Sequence, residues 1–145
     1  LVNPTSAVFG KKDAQQLYLV KEFLANKSNN LKIIEAEIIR DEYGLAMSSR
    51  NRLLSTSGIN IARNIFQILE NTKEHFIQNQ DIQQSEDFGK KLFDENAIEY
   101  DYLNFVDPKY FETPDSNREK LLLITAAYVQ GIRLIDNMEV IQWRT

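Results

Sequence analysis

Ser6-Ala7-Val8-Phe9-Gly10-Lys11-Lys12-Asp13-Ala14-Gln15-Gln16-Leu17 opens the stretch that decides the fold, and Leu31-Lys32-Ile33-Ile34-Glu35-Ala36-Glu37-Ile38-Ile39 closes it. Ser6 to Phe9 is a short apolar run stopped by Gly10, a length that fits a buried strand better than a helix. Ala14 to Asn26 reads as a helix with Leu17, Val20 and Leu24 on one stripe. Asp13 suits its N-cap, and Gln16 three residues on completes the pattern of a capping box. Asn26 to Asn30 is polar and turn-prone, and the β-branched run from Leu31 to Ile39 reads as a second strand. Strand, helix and strand within about 35 residues is the size of a βαβ unit, which predicts parallel strands joined by a right-handed crossover.

In such sheets ligands gather beyond the carboxyl ends of the strands. Two polar clusters fall there. Gly10, Lys11, Lys12 and Asp13 follow the first strand, and Gly44-Leu45-Ala46-Met47-Ser48-Ser49-Arg50-Asn51 follows the second. Adjacent hydroxyls supply small donors, and a guanidinium forks onto two oxygens of a phosphate. With a helix N-terminus beside them, Lys11, Lys12, Ser48, Ser49 and Arg50 predict an anion site. Taken singly the same residues have plainer readings. Asp13 and Gln16 are a capping box, Lys11 and Lys12 surface lysines, Met47 a gap-filler, and Asp41-Glu42 a solvated turn.

Composition narrows the field. The chain has 145 residues, no cysteine, one histidine and a net charge of −4. It therefore has neither a disulfide framework nor a thiolate metal site, and any metal is expected to arrive with a substrate. The acidic balance argues against general nucleic-acid binding, which is built from clustered Lys and Arg. No apolar run approaches the ~20 residues of a membrane span, and no secretory pattern opens the chain. A cytoplasmic protein is expected. The chain begins on Leu1 with a strand pattern close behind, so it reads as a piece of a longer protein.

Beyond residue 52 the pattern changes. Ser55, Thr56 and Ser57 offer N-caps to a helix carrying Ile59, Ala62, Phe66, Leu69 and Phe76 and ending near Asn79. Asp81 caps a second helix, with Gln84 three residues on and Phe88 and Leu92 on its inner face. His75 reads as a surface or helix-end residue. Ile98 to Val106 alternates as a half-exposed strand, Leu121 to Val129 is a central strand, and Arg133 to Ile141 is a last strand broken around Asp136 and Asn137. Pro114 to Asn117 is a loop, and Trp143 reads as core or interface. Two helices then three strands predict a small α+β domain, residues 53–145, with an antiparallel sheet. The whole is an α/β chain.

Phe9-Gly10-Lys11-Lys12-Asp13-Ala14-Gln15-Gln16-Leu17, Arg40, the Gly44 to Asn51 loop, and Arg133-Leu134-Ile135-Asp136-Asn137 together resemble the later half of the pantoate-β-alanine ligase family. The resemblance implies that residues 1–52 are the back part of a Rossmann-like nucleotide-binding fold, and that 53–145 form a lid hinged at Asn51 to Ser57. It implies an ATP-dependent ligase joining pantoate to β-alanine through a pantoyl adenylate, with Mg2+ accompanying the ATP and no resident metal. Carried over, Gly10, Lys11, Lys12 and Asp13 line the nucleotide site, Lys12 toward the phosphates and Asp13 toward the ribose. Gln16 binds pantoate, Ile39 lies by the adenine, and Met47, Ser48, Ser49 and Arg50 cover the triphosphate. Lys12, Ser48, Ser49 and Arg50 are the residues expected to act in catalysis.

The family's His-x-Gly-His motif, which contacts the phosphates from an earlier turn, is absent here, so the piece alone is expected to be inactive. Glu37 stands where the family favours proline, and Lys11 where it favours an acid. Full-length members are expected to be homodimers, with no nucleic-acid or membrane partner. Two rival functions come from other classes: another nucleotidyl transferase or tRNA synthetase fragment, and a non-catalytic interaction module.

Overall fold

Two parallel strands and the helix between them come first in the computed structural model, which describes residues 4–26, 31–114 and 118–141. Strand β1 is Ser6–Gly10, helix α1 is Ala14–Ala25, and strand β2 is Lys32–Ala36. The pairing runs from Ser6 opposite Lys32 to Gly10 opposite Ala36. Leu17 is the buried residue of α1, and Val20 and Leu24 are half-buried on the same stripe. The expected βαβ unit is present.

Two local expectations are corrected. Strand β2 stops at Ala36 rather than Ile39. Its partner is only five residues long, and the ladder ends where the Lys11 N–H donates to the Ala36 carbonyl, 2.8 Å. Glu37 to Ile39 have no residue of β1 opposite them, the Ile39 carbonyl accepts instead from Met47 N–H at 2.8 Å, and the Ile39 side chain is 74% exposed. The capping box also fails to form. Asp13 has φ −90° and ψ 60°, outside the extended geometry of a side-chain cap, and only its carbonyl serves the helix, accepting from Leu17 N–H at 2.9 Å.

The second part of the chain is two helices on an antiparallel sheet. Helix α2 spans Thr56–Asn79 and helix α3 spans Ile82–Glu95. Both caps expected there are made: Ser55 Oγ accepts from Gly58 N–H at 3.1 Å, and Asp81 Oδ1 from Gln84 N–H at 2.9 Å. Strands β3 (Glu99–Val106), β4 (Lys120–Val129) and β5 (Ile132–Ile141) follow in sheet order, each antiparallel to its neighbour. The core lies between sheet and helices, with Leu69, Phe76, Phe93, Leu103 and Leu121 sealed from solvent. The inner face of α3 is Ser85, Glu86, Gly89 and Phe93, and Phe88 and Leu92 flank it at its edge. Glu86 closes the outer edge of β3, its Oε1 accepting from Phe105 N–H at 2.8 Å.

Strand β5 is continuous. Asp136 pairs with Thr125 and Asn137 with Ile124 without a register shift, contrary to the expected break. Polar residues persist in this strand because each has a partner from the first part of the chain, described below. His75 is not a plain surface residue: its Nδ1 lies 2.9 Å from Ser85 Oγ, and its ring stacks on Phe88 in the seam between α2 and α3. Pro114 is buried, whereas Trp143, the residues 115–117 and the residues 27–30 expected to turn lie outside the described residues.

Candidate functional site

The loop after β2 is built by Asp41 and Arg40. Asp41 Oδ1 accepts from the N–H groups of Tyr43 and Leu45, both at 2.9 Å, and its Oδ2 accepts from Arg63 Nε at 3.0 Å. Burial alone would raise this carboxyl, but these donors outweigh it and hold Asp41 below the ordinary aspartate value. The expected solvated turn is therefore a fastened one, with Glu42 and Tyr43 exposed. Gly44 has φ +93°, and a Cβ there would collide with the Phe66 ring, so glycine is required. Leu45 then enters the core shared with α2 and the sheet.

Ser48 opens a short 3-10 turn, Ser49–Leu53, with its Oγ accepting from Arg50 N–H at 3.2 Å. The Ser48 hydroxyl keeps its own proton to donate. Asn51 Nδ2 donates to the Ala46 carbonyl at 3.1 Å, and its buried Oδ1 has no partner among the described residues.

The loop after β1 meets this one. Lys12, Ser48, Asn51 and Asp136 line a single small cavity. Burial pushes the Lys12 ammonium below its ordinary value, Asp13 and Asp136 pull it back up, and Arg50 and Arg40 push it further down. The charge of Arg50 thus reaches Lys12 across the rim. Among the described residues, neither the Lys12 ammonium nor the Arg50 guanidinium has a hydrogen-bond or ion-pair partner. Unpaired cations whose charges act on one another make this rim a candidate site for an anion.

The remaining expected residues divide. Asp13 and Gln16 are exposed at the start of α1, and Met47, 54% exposed, and Ser49 stand on the outer side of the loop. Gly10 ends β1 in open space, where a Cβ would meet nothing within 4 Å. Lys11 does not join Lys12. Its ammonium pairs with Glu37 and lies 3.8 Å from Glu139, on the side of a wide cleft between α1, α2 and β5. The hydrogen bond to Glu37 raises its pKa. What Lys11 offers the rim is main chain.

Strand β5 contributes two residues, Asp136 and Asn137, to which the sequence alone assigns no role. Arg40 Nη1 and Nη2 donate to both carboxylate oxygens of Asp136, at 2.7 and 2.9 Å, and further to the carbonyls of Gly44 (2.9 Å) and Asn137 (3.0 Å). The guanidinium also lies 4.7 Å from the centre of the Phe66 ring. Burial raises the Asp136 carboxyl above its ordinary value, with Arg40 and Lys12 acting against that rise. Asn137 donates to the carbonyls of Lys11 and Lys12. Both residues lie in a motif quoted above, but nothing short-range in a strand sequence marks a contact more than ninety positions away.

Fold and site define an α/β chain whose two loops present unpaired cations at the carboxyl edge of a parallel strand pair. Comparison with known proteins makes the family plain. The family model described as pantoate-beta-alanine ligase matches residues 1–139, and the chain belongs to that family. The pantothenate synthetase of Vesicomyosocius okutanii subsp. Calyptogena okutanii is 36% identical over 141 residues, covering 95% of this chain and 49% of that protein. That of Cytophaga hutchinsonii is 35% identical over 145 residues, covering 97% and 51%. The crystal structure of pantothenate synthetase from Thermus thermophilus superposes with a TM-score of 0.89 at 29% identity, over 97% of this chain and 51% of that one. A Francisella tularensis pantoate-beta-alanine ligase complexed with beta-gamma ATP and beta-alanine gives 0.66 at 26% identity, over 94% and 44%. The chain spans about half the length of the relatives it matches.

Proposed function

We propose that this chain is part of an ATP-dependent ligase that condenses pantoate with β-alanine. The observation that carries the reading is that Lys12 and Ser48 line one small cavity and the Arg50 charge acts on Lys12, with both cations unpaired among the described residues. Family membership and the nucleotide and β-alanine named for the Francisella tularensis structure support it.

In the first step a pantoate carboxylate oxygen attacks the α-phosphorus of ATP. The anhydride bond to the β-phosphate breaks, and pyrophosphate leaves. Negative charge grows on the leaving group, so preplaced donors there stabilise the transition state more than the ground state. Lys12, Ser48, Ser49 and Arg50 are those donors. Asp13 meets the ribose, Ile39 the adenine, and Met47 closes the loop over the triphosphate. Gln16 fixes pantoate in line, since a side-chain amide both donates and accepts. In the second step the amine of β-alanine attacks the acyl carbon, a C–N bond forms, AMP departs and the amine gives up a proton.

Among the described residues no group of three or more His, Cys, Asp or Glu is placed to hold a metal. Mg2+ in this reading comes on the nucleotide, where phosphate oxygens and water suit it. Residues 53–145 act as a lid over the domain carried by 1–52, excluding water from an adenylate that hydrolyses readily. A chain of the relatives' full length works in the cytoplasm as a homodimer, and the present piece alone is inactive.

The test is isotope exchange between pyrophosphate and ATP in a chain extended to the relatives' full length. Exchange stimulated by pantoate and by no amino acid is the expected result. Exchange driven by an amino acid, or none with any acid, overturns the reading in favour of another nucleotidyl transferase or a non-catalytic module.

A further inference from the structure

Asn137 is 4% exposed, and its side-chain nitrogen donates to two successive carbonyls, Lys11 at 3.0 Å and Lys12 at 2.9 Å. A primary amide has two N–H groups, one for each carbonyl. Its oxygen could not face that pair, so the orientation of the amide is fixed by its partners. The backbone of Asn137 is itself clamped: its N–H donates to Asp136 Oδ1 at 2.7 Å, and its carbonyl accepts from Arg40.

Those two bonds set more than the carbonyls. A trans peptide points its N–H opposite to its C=O, and no described peptide is cis. Holding the Lys11 carbonyl toward β5 turns the Lys12 N–H away from β5. Holding the Lys12 carbonyl turns the Asp13 N–H likewise, and that group closes onto the Gly10 carbonyl at 3.3 Å. Among the described residues the Lys12 N–H donates to no acceptor. A free tripeptide turn would sample several peptide orientations, and ordering it on binding would reduce affinity.

We propose that Asn137 is the positioning residue of the phosphate loop, orienting the Lys12 N–H and the base of the Lys12 side chain toward a polyphosphate. The inference rests on the ligase reading and adds a residue from the other end of the chain that preorganises the rim. Asn137 acts on the ligand only through the loop it holds.

The test is an NMR titration of a chain extended to the relatives' full length with inorganic tripolyphosphate, followed at the Lys12 and Arg50 amides. In the wild type both amides shift. Asn137→Leu, similar in size without donors, raises Kd about tenfold, which is the loss of one well-made polar contact. Asn137→Ser, smaller and with one donor, gives an intermediate Kd and a second reading if the leucine variant folds poorly. Met138→Ala, next along β5, lowers the melting temperature but leaves Kd within twofold. Kd within twofold of wild type for both Asn137 variants, or an equal rise for Met138→Ala, overturns the positioning role. A wild type in which neither amide shifts overturns the ligase reading as well, whereas a defect confined to the Asn137 variants supports positioning.

Discussion

Asp136 receives both arms of Arg40 while only 5% exposed. Removing one member of such a pair strands the other charge in a dry setting. Asp136→Asn is expected to lower unfolding free energy by about 3 kcal/mol, read from denaturant titration, and Arg40→Met combined with Asp136→Leu to recover most of that. A loss under about 1 kcal/mol for the single variant would mean the pair is worth no more than an exposed one. The residue scale is also where the sequence was least legible. Lys12, Ser48 and Arg50 could be named because loops after parallel strands converge by rule. Asp136 and Asn137 read as a break in a strand, because their partners, Arg40 and the carbonyls of Lys11 and Lys12, are supplied by tertiary structure. Asp41 reads as solvated because one of its donors, Arg63, comes from α2, although its Oδ1 accepts locally from the Tyr43 and Leu45 N–H groups.

At the scale of elements, apolar runs and periodicity found the three α-helices and five strands but not the 3-10 turn at Ser49–Leu53, and partners decided their ends. Strand β2 is shorter than its β-branched run because β1 is five residues long. Strand β5 is longer than its apolar pattern because Asp136 and Asn137 are satisfied from outside the sheet. Caps behaved similarly: Ser55 and Asp81 formed theirs, whereas Asp13, drawn into the turn onto Gly10, did not. Helix α3 reaches the core only because Gly89 is small. A Cβ there would strike the side chains of Leu103 and Thr72, both fully buried. Gly89→Ala is therefore expected to cost about 1–3 kcal/mol by overpacking, despite the better helix propensity of alanine, and thermal melting checks the sign. A stabilised variant would mean that α3 stands further from α2 and β3 than described.

For the whole molecule, the first and second parts of the chain are joined at several points. Arg40 to Asp136, Asn137 to Lys11 and Lys12, and Tyr18 stacked on Phe111 at 5.5 Å all cross between them. The strand that closes the small sheet thus also holds both loops of the rim. In the proposed enzyme this makes β5 part of the apparatus that places the phosphates, in addition to any covering role of the lid. The most direct measurement is kcat/KM for pantothenate formation in a chain of the relatives' full length, with Lys12→Ala and Arg50→Ala compared against wild type. The account predicts a fall of about a hundredfold or more for each, the usual scale for losing a charge-stabilising donor. Values within twofold of wild type for both would contradict the claim that these two loops together grip a nucleotide's phosphates.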